Sequence, residues 1–127
     1  MRNLQRSYQI KTSPEEVFNA MTNPLTLELW TGYTATFNPE ANTEFTLWDG
    51  DIIGINLEIV PNIKLVQEWY FEDNKEKSIV TIELTKQNDK TQIELHHTNI
   101  PDEAFSNISE GWNKYYFGTM KKYLESK

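Results

Sequence analysis

The stretch Thr91 to Leu124, TQIELHHTNIPDEAFSNISEGWNKYYFGTMKKYL, changes its hydrophobic period part-way along, and that change decides the fold class. Before Pro101, Thr91, Ile93, Leu95 and His97 alternate with Gln92, Glu94 and His96, the period of two expected of a strand with one buried face. After Pro101, Phe105, Ile108, Trp112, Tyr115, Tyr116, Met120, Tyr123 and Leu124 recur at spacings of one, three or four residues, which predicts a long amphipathic helix. The aromatic stripe of that helix is wide enough to cover one face of a sheet.

Upstream, the period of two continues. Phe45 and Leu47 lead to Asp49-Gly50, a hairpin turn signal. Ile53, Ile55, Leu57 and Ile59 then alternate with Gly54, Asn56 and Glu58, and Pro61-Asn62 turns the chain. Leu65, Gln67, Trp69 and Phe71 share the next strand face, with a turn expected at Asp73-Asn74. Val80, Ile82 and Leu84 follow, and Asn88-Asp89 closes their hairpin.

The N-terminal part is different. Tyr8 and Ile10 mark a first strand, and Ser13-Pro14-Glu15-Glu16 is a capping box with Pro at the first helical position. Asn23-Pro24 restarts the chain in the same way, so two short helices follow the first strand. The order predicts an α+β fold: a first strand, two short helices, a run of antiparallel strands and a long C-terminal helix. Residues 1–127 carry no linker, repeat or low-complexity break, and a single domain is expected.

Composition narrows the function classes. A formal net charge of −7 disfavours nucleic acid and anionic membranes, whose affinity comes from Lys and Arg. The absence of Cys excludes disulfides, zinc thiolate sites, iron–sulfur clusters and cysteine nucleophiles, and fits a reducing, cytoplasmic compartment. No apolar stretch resembles a secretory signal or reaches the length of a membrane span, so no membrane insertion is expected. Aromatic residues are abundant, with Trp 4, Tyr 6 and Phe 6.

Several strings, taken in order, resemble the activator-of-Hsp90-ATPase homologue family of the START/Bet v 1-like helix-grip superfamily. They are Ser13 to Pro24, Trp48-Asp49-Gly50 to Gly54, Leu65 to Trp69, Leu95 to Pro101, and Gly111-Trp112 followed by Tyr123-Leu124. The resemblance covers nearly the whole chain. It implies a helix-grip fold, a curved antiparallel sheet wrapped around the long C-terminal helix with the two short helices closing one end, often with a hydrophobic cavity between helix and sheet, and a link to chaperones and the stress response. In the eukaryotic co-chaperone the module follows a second domain, whose Asn-rich, Trp-containing motif is not found in this sequence.

Candidate ligand-binding residues are Trp30, Tyr33, Gln67, Trp69, His97, Trp112 and Tyr116; strand alternation sets Trp48 opposite Phe45 and Leu47, either outside or at the pocket mouth. Each aromatic is also an ordinary core residue. Gln67 interrupts an apolar inward row, and His97 shares a face with Ile93 and Leu95, so both need partners, from a ligand or from the protein. His96 and His97 point to opposite faces and cannot share a metal. No convergent metal set, nucleophile elbow or phosphate loop appears, and no metal or cofactor is expected. Gly111, inside a predicted helix, marks either close approach to a ligand or a local packing need; Lys114, Lys121, Lys122 and Lys127 suit a helix C-terminus.

Three functions remain. The leading expectation is non-enzymatic binding of a small hydrophobic molecule between helix and sheet. The alternatives are an Hsp90-type co-chaperone or protein-interaction module, and a polyketide-cyclase-like enzyme with His97 as general acid–base.

Overall fold

The computed structural model describes residues 1–72 and 76–126; the Asp73-Asn74 turn and Lys127 lie outside the described residues. Strands β1 (Arg2–Ile10), β2 (Thr43–Leu47), β3 (Ile52–Val60), β4 (Lys64–Trp69), β5 (Ser78–Gln87) and β6 (Lys90–Ile100) form one antiparallel sheet in the order β1-β6-β5-β4-β3-β2. β2 to β6 is thus a meander, and β1 adds to its far edge. Asn62 and Asn88, at φ 66° and 55°, take the left-handed turn positions that asparagine tolerates.

The two short helices are α1 (Pro14–Thr22) and α2 (Pro24–Thr31). Ser13 Oγ caps α1 by accepting from the Glu16 N–H. Asn23 serves both helices: its backbone N–H closes α1 on Asn19, and its side chain accepts from the N–H groups of Leu25 and Thr26. Gly32, at φ 80°, ends α2 in the left-handed conformation that glycine adopts without strain. The C-terminal helix runs as α3 (Phe105–Gly111), a π-helical turn (Trp112–Tyr116) and α4 (Phe117–Glu125).

The core lies between the concave sheet face and α1, α2 and α4. Leu65, Val80, Ile82, Ile93, Leu95 and Met120 are wholly buried there. This is the helix-grip architecture that the family resemblance implies.

β3 departs from simple apolar-in patterning. Gly54 and Asn56 are the buried members of its alternation, whereas Ile53 and Leu57 face outward, 43% and 36% exposed. The inward position of residue 54 cannot hold a side chain: a Cβ there would fall 2.0 Å from the Glu68 carbonyl oxygen and 2.9 Å from the Phe45 ring. The concave face at the β2 edge is filled by Phe45 instead. A bulge between Asn56 and Glu58 then shifts the register against β4.

Candidate functional site

The two halves of the C-terminal helix meet the rest of the fold differently. α4 buries Phe117, Met120 and Leu124, while α3 has no buried residue. Between them, the π turn crowds Trp112, Tyr116 and Phe117 into the core, with ring centroids 4.6 to 5.7 Å apart. A cleft of about 500 Å³ opens beside the α3 half. Trp69, Trp112 and Tyr116 form its floor, Ile108 and Gly111 one wall, and Tyr33, Trp48 and Ile52 the other. Gly111 is the thin part of that wall, because a Cβ placed there would meet nothing within 4 Å.

The opposite wall rests on an unusual turn. Trp48, Asp49 and Gly50 have φ of 51°, 55° and 93°, a run of left-handed residues that is costly for a bulky side chain such as Trp. The turn is clamped from outside. Thr34 donates its backbone N–H and its hydroxyl to Asp49 Oδ1, and the Asp49 N–H returns a bond to the Thr34 carbonyl. Those hydrogen bonds hold the Asp49 carboxyl below the usual carboxylate range. Trp48 is thereby turned in against Trp30 and Tyr116, at 5.9 and 6.1 Å between ring centroids, on the cleft rim.

Behind the floor lies a polar interior whose bonds are internal. The Trp112 indole N–H donates to His97 Nδ1 at 3.0 Å. An indole nitrogen only donates, so Nδ1 is the bare nitrogen and the His97 proton sits on Nε2. Nε2 then donates to Ser78 Oγ at 2.9 Å, and Ser78 passes its own hydrogen to the Thr98 carbonyl. Burial lowers the His97 pKa to about 3, so the ring is neutral at physiological pH. A parallel chain starts at Trp69, whose N–H donates to Gln67 Oε1; Gln67 Nε2 donates to Asn56 Oδ1, and Asn56 reaches the Thr43 hydroxyl and the Asn38 carbonyl. The two indoles stack at 4.8 Å with 22° between planes.

Sequence comparison agrees with this architecture. The model of the family described as "Activator of Hsp90 ATPase homolog 1-like protein" matches residues 11–125. The chain belongs to that family. Among curated relatives, the human activator of 90 kDa heat shock protein ATPase homolog 1 is 29% identical over 113 residues, covering 87% of this chain and 33% of its own length. The homologue from Dictyostelium discoideum is 29% identical over 94% of this chain and 32% of its own. The chain therefore spans about a third of the curated relatives it matches. Among solved structures, an HSP90 activator from Plasmodium falciparum superposes with a TM-score of 0.89 at 26% identity, covering 98% of this chain and 97% of that one. The Aha1 dimer from Colwellia psychrerythraea, at 17% identity and a TM-score of 0.86 over 98% and 97% of the two chains, shares the fold.

Within this family member, the structure brings Tyr33, Trp69, Trp112 and Tyr116 together around the cleft. Trp30 stands behind them, its ring edge-on to Tyr116 at 5.3 Å and its N–H bonded to the Ala20 carbonyl. Gln67 and His97 lie behind the floor, bonded to the indoles that form it. Sequence reasoning missed Asn56, Phe117 and Asp51. Asn56 sits within an aliphatic alternation, and only the glycine at 54 signals that the inward face there is the polar one. Phe117 falls out of helical register until the π turn adds a residue. Among the described residues, no three His, Asp or Glu side chains are grouped to hold a metal.

Proposed function

We propose that this chain is a binding protein that receives a small, largely apolar molecule in the cleft between α3, the Trp48 turn and β4. The observation that carries this reading is the cleft itself. Its volume of about 500 Å³ falls within the ordinary range for small-molecule sites, and its floor is aromatic. Tyr33, Trp69, Trp112 and Tyr116 are its contacts; Trp30, Gln67 and His97 support them from behind. A catalytic role for His97 loses its motive here, because both ring nitrogens are engaged and the ring is held neutral.

The test is native mass spectrometry of freshly purified protein, followed by a hydrophobic-ligand screen read by NMR. A copurifying molecule, or a ligand that shifts the Trp112 and Trp69 indole signals, supports the proposal. An empty protein whose indole signals stay fixed across the screen refutes it.

A second reading, a chaperone cofactor, draws on the relatives' names and on the Plasmodium falciparum activator, which is matched along nearly its whole chain. Adding this chain to an Hsp90-type chaperone from the same cell raises ATPase turnover if that reading holds. Unchanged turnover together with no detectable binding removes it.

A further inference from the structure

The charge of the cleft wall says more about its occupant than the cleft's volume does. Its ionisable lining at neutral pH consists of Asp49 and Asp51; among the described lining residues there is no Lys, Arg or His. The rest of the lining is dominated by the faces and edges of Tyr33, Trp48, Trp69, Trp112, Tyr115 and Tyr116. A ring face attracts cations through its quadrupole, most strongly for Trp. Tyr115 displays the effect within this chain, with Lys114 Nζ 5.2 Å from its ring centroid. One Asp49 oxygen is taken up by Thr34, and those hydrogen bonds hold its carboxyl below the ordinary carboxylate value. Asp51 makes no hydrogen bond or ion pair among the described residues through its side chain.

A separate observation also points to a ligand. Tyr116 lines the cleft, is 3% exposed, and its hydroxyl makes no hydrogen bond among the described residues. Burial alone pushes its phenol pKa up. Buried hydroxyls without partners are uncommon, and a guest that supplies one satisfies the group.

We propose that the cleft selects an organic cation: a molecule with an apolar body, an amine or quaternary ammonium group held between the Trp48 turn carboxylates and the aromatic faces, and a polar atom for Tyr116. This deepens the binding reading above and rests on it. The net charge of −7 adds a long-range bias in the same direction, drawing cations toward the protein as a whole.

Three probes test it: benzyltrimethylammonium, its uncharged isostere neopentylbenzene, and the aromatic anion phenylacetate, with binding read from the indole NMR signals. Benzyltrimethylammonium is expected to bind about tenfold tighter than neopentylbenzene at low ionic strength, between the scales of an exposed and a desolvated cation–aromatic contact. The preference should shrink at high salt, and phenylacetate should not bind. Asp51→Asn should reduce the preference while leaving neopentylbenzene affinity unchanged. Asp49→Asn should also reduce the preference, but it loosens the Thr34 clamp that seats Trp48 and so lowers neopentylbenzene affinity as well, which makes Asp51→Asn the cleaner variant. Equal binding of the cation and its neutral isostere, or a preference that survives both Asp substitutions, overturns the charge selection while leaving apolar binding intact. Failure of all three probes to shift any indole signal overturns both.

Discussion

The C-terminal helix is two structures joined by a π turn. From Phe117 to Glu125 it is a core helix, with Phe117 stacked on Tyr8 at 4.6 Å and Met120 and Leu124 buried. From Phe105 to Gly111 no residue is fully buried: Phe105 and Ile108 rest half-buried against the core, and side chains of β1 hold the edge, Arg2 over the Phe105 ring at 3.8 Å and Arg6 to the Ser109 hydroxyl. The extra residue of the π turn lets both halves keep helical hydrogen bonding while presenting different faces. π turns of this kind occur often at functional sites. The contrast teaches that stability is concentrated in one half, which leaves the other free to border an open cleft.

The contrast can be broken most forcefully at Phe117. Phe117→Ala removes a fully buried ring and is expected to cost about 3–5 kcal/mol in chemical denaturation. Ile108→Ala, on the cleft half, should cost about 1 kcal/mol or less. Equal losses at the two positions would mean that α3 is packed as tightly as α4.

Next in size is a pH effect from the polar interior. The His97 pKa is lowered to about 3 in the folded chain, whereas an unfolded histidine titrates near its ordinary 6.5. Between those values the unfolded chain binds the extra proton, so stability is fully present above about pH 6.5 and falls as pH drops. Integrating that difference from pH 8 to pH 5 gives a loss of about 2 kcal/mol attributable to His97. The carboxylates held below their usual range, Asp49, Glu94 and Glu125, add their own losses at lower pH, which leaves pH 5 to 6.5 as the diagnostic window. His97→Gln, although less stable throughout, should lose this slope in urea titrations run at each pH.

A smaller effect of opposite sign is expected at Gly111. Its position is helical and its Cβ direction is empty, so Gly111→Ala should raise stability by about 0.5–1 kcal/mol in thermal unfolding. Because the added methyl enters the cleft wall, the same variant should bind apolar ligands less well. The least effect is expected on the outer sheet face, where Ile53→Thr should change stability by less than about 0.5 kcal/mol despite removing an aliphatic group. A large loss there would show that β3 buries its isoleucine face.

Ile53 also marks where the sequence stops being legible. Hairpin turns, capping residues and the switch of period at Pro101 are local signals, and they recover the order of elements and the α+β class; the grip of sheet on helix comes from the family resemblance. The inward face of β3 is set by distant atoms, the Glu68 carbonyl and the Phe45 ring, so the aliphatic alternation of that strand points the wrong way. The site was partly readable for a related reason. Aromatic residues at strand and helix periods identify the floor of the cleft. The same periods cannot say whether an inward Gln67 or His97 meets a ligand or an indole, since that depends on which residues of another element arrive opposite. The turn at Trp48 was the least legible: three consecutive left-handed residues reverse the side chain's expected direction, and the clamp that maintains them comes from Thr34, fourteen positions upstream by numbering.

Plugging the cleft beside Gly111 tests most directly whether it is the proposed binding site. Gly111→Leu places a side chain into space where the glycine has no neighbour, so the fold should survive, as near-UV circular dichroism can verify. The uncharged fluorescent probe N-phenyl-1-naphthylamine should bind the native chain at one site and lose that binding in the folded variant. Undiminished binding to Gly111→Leu would place the site elsewhere, and no binding to the native chain would refute an apolar site altogether.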